Sequence, residues 1–342
     1  MKQGVFERRY QPVWQEFEAL LAQLELDEKH SGPIGSRKAR APSQTSANME
    51  EFTSLYRKLC HLNALAIRRN YSSYLVDKLG DLIVRGHQQL YQRKPRFGRQ
   101  ILRFLMVDFP QLVRAEAKLF WLSSALFYGP GLLIFIAILL KPDLIYTMMS
   151  PDQVSNFEAM YDPSNRTLGA ARESETNWQM FGFYIYNNIS VAFQTFASGI
   201  LFCVGSLFYL IFNGLNIGAV AAHLTNVEFT ETFFTFVVGH GSFELTAIVI
   251  AGAAGLKLGI ALLSPGSLPR VESLRRAALV SIKLVYGVTF LLLIAAFVEA
   301  FWSSNNILAP WQKYLFGGVF WLVVAAYLVL SGRGYAPAKE AA

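Results

Sequence analysis

The chain has 342 residues and a formal net charge of +7; 53% of the residues are hydrophobic, 14% are aromatic and only 16% are charged. Soluble domains carry about a quarter charged residues, so this composition argues for a membrane protein and against a disordered chain, a collagen-like repeat or a nucleic-acid-binding arm. The two cysteines, Cys60 and Cys203, are too far apart in sequence to suggest a disulfide framework or a zinc spacing.

The charge is unevenly distributed. Residues 1–118 hold 20 of the 31 basic and 12 of the 24 acidic side chains, a surplus of eight positive charges, whereas residues 119–342 are nearly neutral. The first stretch therefore reads as a basic, water-exposed domain and 119–333 as a membrane domain, followed by a short tail, 334–342. The first 30 residues are charged and lack an apolar run, so no secretory signal peptide is expected.

Within 1–118 the pattern is helical. Val13, Phe17, Leu20, Leu21 and Leu24 recur at spacings of three and four, the stripe of an amphipathic helix. Ser31 to Ser46, with Gly32, Pro33, Gly35 and Pro42, reads as a linker. A second helix is expected through Phe52, Leu55, Tyr56, Leu59 and Leu62, and a third over Tyr74 to Tyr91. A basic break, Arg93 to Arg96, separates it from Ile101 to Phe109. The simplest reading is a small helical bundle; Arg96, Arg99, Arg103 and Arg114 also suit anionic lipid headgroups.

A transmembrane helix needs about 20 mostly apolar residues. Phe120–Leu140, Ala192–Phe212, Phe233–Leu263, Ala277–Ala300 and Trp311–Leu330 qualify, giving five spans, with a sixth sought within 213–242. The excess of basic residues in 1–118 orients that domain to the cytoplasm. Segment 141–180, with three basic and six acidic side chains, is then external. Arg270, Arg275 and Arg276 should be cytoplasmic, yet five simple spans leave them outside. Either 213–263 crosses twice, or it contains a re-entrant hairpin, or the short loop breaks the rule; a broken or re-entrant element around Asn213 to Gly241 is favoured, because irregular backbone at membrane depth is tolerated within protein. The expected fold is an all-α polytopic bundle of five or six spans with an N-terminal cytoplasmic helical domain.

The least ordinary polar cluster is His240-Gly241-Ser242-Phe243-Glu244 in an apolar stretch. His240 and Glu244 share a helix face, and ionisable groups in a span are costly and often mark function. Three readings stay open: satisfaction at a helix break, an ion, proton or substrate pathway, and a metal site. A second histidine is missing, so zinc-protease chemistry has no support, and no metal, cofactor or catalytic residue is assigned. Asn187, Asn188, Asn213 and Asn216 suit either helix-to-helix hydrogen bonds or a polar cavity wall. Gly252, Gly255 and Gly259 form a small-residue face that predicts close helix packing, within the chain or across a homodimer. Lys257 lies more than three turns from Glu244 and should snorkel or find another acid, while Glu299 is expected at the interface.

Gly239-His240-Gly241-Ser242-Phe243-Glu244-Leu245, the run Ile250 to Gly259, and Pro265-Gly266 resemble the stage II sporulation protein M family of multi-spanning membrane proteins. Asn187-Asn188 and Phe212 to Gly218 resemble its other characteristic stretches, and Arg85 to Tyr91 resembles its longer members. The resemblance implies a membrane scaffold that anchors peptidoglycan hydrolases during engulfment in spore formers. For long members elsewhere it implies a place beside a MoxR-type AAA ATPase, and it carries over no catalytic residues. The leading expectation is thus a non-enzymatic scaffold of a cell-envelope complex in the bacterial cytoplasmic (inner) membrane. The alternative is a transporter or channel-like protein whose polar path is lined by His240, Glu244, Asn213 and Asn216.

Overall fold

The computed structural model describes residues 2–29, 42–91, 97–164, 174–304 and 308–335, which are helical with no strand among them. It divides into two compact units, Met1–Gly98 and Arg99–Ala342.

The first unit is built from α1 (Gln3–Lys29), α2 (Pro42–Arg68) and α3 (Ser73–Tyr91). The anticipated stripes meet in one core: Phe17 and Leu21 of α1, Phe52 and Leu59 of α2, and Leu79 of α3 are fully buried. The Phe17 and Phe52 rings stack at 4.8 Å. At Gly86 the α3 backbone comes so close to the Phe17 and Tyr56 rings that a Cβ would strike them. The Gln3 side chain bonds both the Ser72 hydroxyl (2.8 Å) and the Ser72 backbone N–H (3.0 Å), tying the start of α1 to the α2–α3 turn. Helix α2 begins at Pro42, inside the expected linker, because proline suits a first helical turn. The rest of that linker, 31–41, lies outside the described residues, as do Arg93 to Arg96 and the tail from 336.

The second unit starts earlier than the charge pattern places the membrane domain. Helix α4 (Phe97–Arg103) passes through a π-helical turn, Phe104–Asp108, into α5 (Phe109–Ala115). Phe109 is fully buried among Leu284, Val288 and their neighbours, with Gly287 leaving room for its ring. Residues 99–118 therefore belong with the membrane helices; their charges obscure a few apolar anchors. Arg114, anticipated at lipid headgroups, instead donates to the Leu328 carbonyl and to the Ser331 carbonyl (2.7 Å) at the end of the last helix. Burial, then the nearby Arg333, lowers the pKa of its guanidinium. Two carbonyls held by one planar fork suit Arg better than Lys. Arg114→Lys is expected to lower stability by about 1–2 kcal/mol, measurable by thermal unfolding in detergent; no change in the transition would refute this capping role.

Helices α6 (Ala117–Leu140), α7 (Ile145–Met148), α8 (Pro151–Tyr161), α9 (Ser174–Ala197), α10 (Val204–Asn226), α11 (Thr230–Leu263), α12 (Arg270–Val298) and α13 (Pro310–Leu330) complete the unit. Five helices are long and apolar enough to cross a membrane: α6, α10, α11, α12 with its continuation to Ser303, and α13. We call the end where α6 begins proximal and the end where it finishes distal.

Helix α9 also runs between the two ends. Its Trp178 packs on Phe301 at the distal end (ring centroids 5.1 Å), and its Phe196 packs beside Leu258 and Ala277 at the proximal end. Asn177, Gln179, Asn187, Asn188 and Gln194 hide this crossing from composition. A sixth pass between the two ends is therefore made by α9 and not by an element within 213–242, and it begins at Ser174, inside the 141–180 segment. The chain reverses over Ser198–Cys203, where Phe202 and Cys203 adopt left-handed backbone (φ 52° and 70°). The apolar run Ala192–Phe212 is thus the end of one helix and the start of the next. No re-entrant break occurs at Gly239-His240-Gly241, where α11 continues as one helix of 34 residues. With six passes between the ends, the loop between α11 and α12 lies at the proximal end, the end where α6 begins.

Helices α6 and α10 run parallel in close contact: Gly214 meets the Phe127 carbonyl, Gly218 meets the Gly131 carbonyl, and Asn226 donates to the Ile138 carbonyl at 2.9 Å. Helix α11 is the centre of the bundle. Its Gly252 faces Ser123 and Leu210, Gly255 faces Ser206 and the carbonyls of Thr195 and Phe196, and Gly259 faces Cys203 and Gly199. The small-residue face is therefore occupied within the chain, so it gives no surface for the anticipated homodimer.

Candidate functional site: a buried His–Glu–Glu cluster

One turn of α11 presents two ionisable groups to its neighbours. His240 and Glu244, four residues apart, bring Nε2 and Oε2 to 3.9 Å. The partner surface comes from α12, which widens into a π-helical turn over Glu299–Ser303; such turns often occur at functional sites. Glu299, expected at the interface, is only 8% exposed and faces inward. One ligand-type atom from each of His240, Glu244 and Glu299 lies within 4.8 Å of the other two.

A second layer holds these groups in place. His240 Nδ1 lies 3.1 Å from the Ser303 hydroxyl. Asn188 of α9 donates to Glu299 Oε2 at 3.5 Å and accepts from Asn187 at 3.1 Å. Lys313 of α13 donates to the Ser303 carbonyl at 2.9 Å. Asn188, Ser303 and Lys313 are themselves buried. Apolar walls complete the site: the Trp302 ring lies on Gly239, and Phe236 sits edge-on to His240 at 5.3 Å. At the distal end Tyr161, the last residue of α8, packs on Phe233 and Phe236. Burial raises the pKa of its hydroxyl strongly, with Glu299, Tyr184 and Glu244 adding to the effect.

The sequence-level candidates thus separate. His240, Glu244 and Asn188 come together. Asn213 and Asn216 do not join them; they return their amides to the Tyr209 and Phe212 carbonyls of their own helix (2.7 and 2.8 Å). Ser242 likewise bonds the Gly239 carbonyl. Glu299, Ser303 and Lys313 were missed. The available signal was ionisable residues at the distal edges of two apolar runs, but only the packing of α12 and α13 on α11 turns them inward. Lys257 pairs with Glu116 at 2.7 Å near the proximal end.

The fold and the polar cluster define a polytopic helical membrane protein with a separate N-terminal helical unit. The family model for "Stage II sporulation protein M" matches residues 123–304, and one for "Domain of unknown function (DUF8413)" matches 4–92. The chain belongs to the stage II sporulation protein M family. It is also similar to an uncharacterized protein of Methanocaldococcus jannaschii, at 31% identity over 35% of this chain and 69% of that protein. No solved structure matches the chain.

Proposed function

We propose that the protein is a non-enzymatic membrane scaffold of a cell-envelope complex. In this reading the six-crossing unit is a rigid anchor and the basic N-terminal helical unit is the docking module on the cytoplasmic face of a bacterial inner membrane. The observation that carries it is the packing around α11. Its glycine face is filled by α9, α10 and the turn between them, at backbone-to-backbone distances that leave little freedom to rock. Peptidoglycan hydrolases, or an AAA ATPase, are the partners that the family resemblance suggests. Crosslinking in native membranes should trap such a partner through residues 1–98; recovery of self-contacts alone would count against the reading.

The orientation rests on charge. Arg114, Lys118, Arg270, Arg275 and Arg276 share the proximal end, while Asp143, Asp152, Glu158 and Asp162 share the distal end, as expected when the proximal end is cytoplasmic. Alkaline phosphatase fused after Ser164 should be active, and fusions after Ser267 or Gly334 inactive. Activity after Ser267 would overturn the six-crossing topology.

The transporter reading keeps one supporting observation, the buried His240–Glu244–Glu299 cluster, but loses Asn213 and Asn216 from its path. Water-soluble thiol reagents reaching a cysteine at position 244 would favour it over the scaffold.

A further inference from the structure

We propose that His240, Glu244 and Glu299 form a binding site for a divalent first-row transition cation in the distal half of the membrane unit. The proposal goes beyond the scaffold reading and does not depend on it.

Convergence is the first ground. Three side chains from two helices place one nitrogen and two carboxylate oxygens within 4.8 Å of one another. His240 is 5% exposed, yet its Nε2 faces Glu244 Oε2 across 3.9 Å. That separation is too long for a hydrogen bond. The ring nitrogen and the carboxylate oxygen therefore face one another at ion-pair distance with no hydrogen bond between them.

The second ground is the arrangement behind the ligands. A metal-binding histidine usually donates its other ring N–H to an oxygen, which fixes the tautomer and the ring plane. His240 Nδ1 has the Ser303 hydroxyl in that position at 3.1 Å. With Nδ1–H donating there, Nε2 carries its lone pair toward Glu244 and Glu299. Glu299 is oriented in turn by the Asn188 amide. Lys313, the nearby buried cation, donates to the Ser303 carbonyl rather than forming an ion pair with either carboxylate among the described residues.

Charge is the third. With both carboxyls ionised on binding, they and a neutral imidazole sum to −2, which a divalent cation cancels in place of two protons. Buried carboxylates without compensation are strongly disfavoured. The mixed donor set selects the metal class: Ca²⁺ and Mg²⁺ favour all-oxygen ligation, whereas imidazole with carboxylate suits zinc and its neighbours. In a tetrahedral zinc site the ligand atoms stand about 3.3 Å apart, so binding would draw the three inward by rotation of the two glutamate side chains. Three protein ligands leave a fourth position open.

The test uses the full chain in lipid nanodiscs, stripped with a chelator and titrated with zinc against a chromophoric competitor. One zinc per chain is expected. The double substitution Glu244→Gln/Glu299→Gln should weaken binding at least about 100-fold, Ser303→Ala about 10-fold, and His61→Ala not at all. Absent or substoichiometric binding, or binding unchanged in the double variant, overturns the site. Should the double variant fail to assemble, cobalt loading of the unaltered chain decides the matter. Intense visible bands of a four-coordinate nitrogen–oxygen site support the proposal, and the weak spectrum of six-coordinate cobalt refutes it.

Discussion

Replacing Gly199 with leucine should prevent the membrane unit from packing, with a loss of about 3 kcal/mol or more, the upper range for overpacking. A Cβ at this position would fall on the backbone carbonyl, carbonyl carbon and Cα of Gly255. Backbone cannot rotate aside as a side chain can, and Gly255 is pinned from another direction by the Thr195 and Phe196 carbonyls and Ser206. Even Gly199→Ala should be costly. Gly129→Ala and Gly318→Ala are the controls: both glycines lie in helices with open space around the added carbon, so alanine should be neutral or slightly stabilising through its better helix propensity. Unfolding in mixed detergent micelles, followed by tryptophan fluorescence, measures all of these. Similar transitions for Gly199→Ala and Gly129→Ala would show that the turn over Ser198–Cys203 does not press on Gly255 of α11.

The second large effect concerns Lys257 and Glu116. The pair joins at 2.7 Å, with the two side chains 24% and 19% exposed. It ties the proximal part of α11 to the residue just before α6. Removing one partner leaves the other charge half-buried and uncompensated, which costs more than the pair's net contribution. Lys257→Met is expected to lower stability by about 2 kcal/mol, less than for a fully buried pair because water still reaches both groups. The double substitution Lys257→Met/Glu116→Gln should recover much of that loss. A double-mutant cycle should then show coupling of about 1 kcal/mol or more. Strict additivity would mean that the two charges are solvated independently.

The same pair illustrates how much of the site could be read from sequence. Helical spacing showed that Lys257 could not reach Glu244 along α11, yet the acid it does reach is 141 residues away. His240 and Glu244 were legible as a pair because four residues is one helical turn. Glu299 was not, since an acid near the end of an apolar run ordinarily faces headgroups. Its inward position follows from the π-helical turn at Glu299–Ser303 and from the approach of α9. Asn213 and Asn216 misled for the opposite reason. Beside glycines they resemble a cavity wall, but an amide in a helix can also satisfy itself on a preceding carbonyl.

Composition and charge asymmetry were enough to determine a membrane protein whose N-terminal stretch is a basic helical unit. Periodicity was enough to determine which faces of α1, α2 and α3 form a core. These properties are local sums, or repeats of 3.6 residues, and need no knowledge of the partner helix. The number of crossings was decided only by tertiary structure. Helix α9 is too polar to be counted by hydropathy, and it lies among the crossing helices because Asn188 finds Glu299 and Gly255 admits its Phe196 carbonyl. Once α9 is counted, Arg270, Arg275 and Arg276 fall at the same end as Arg114. An even number of passes is what brings them there, and no count of apolar runs could supply it.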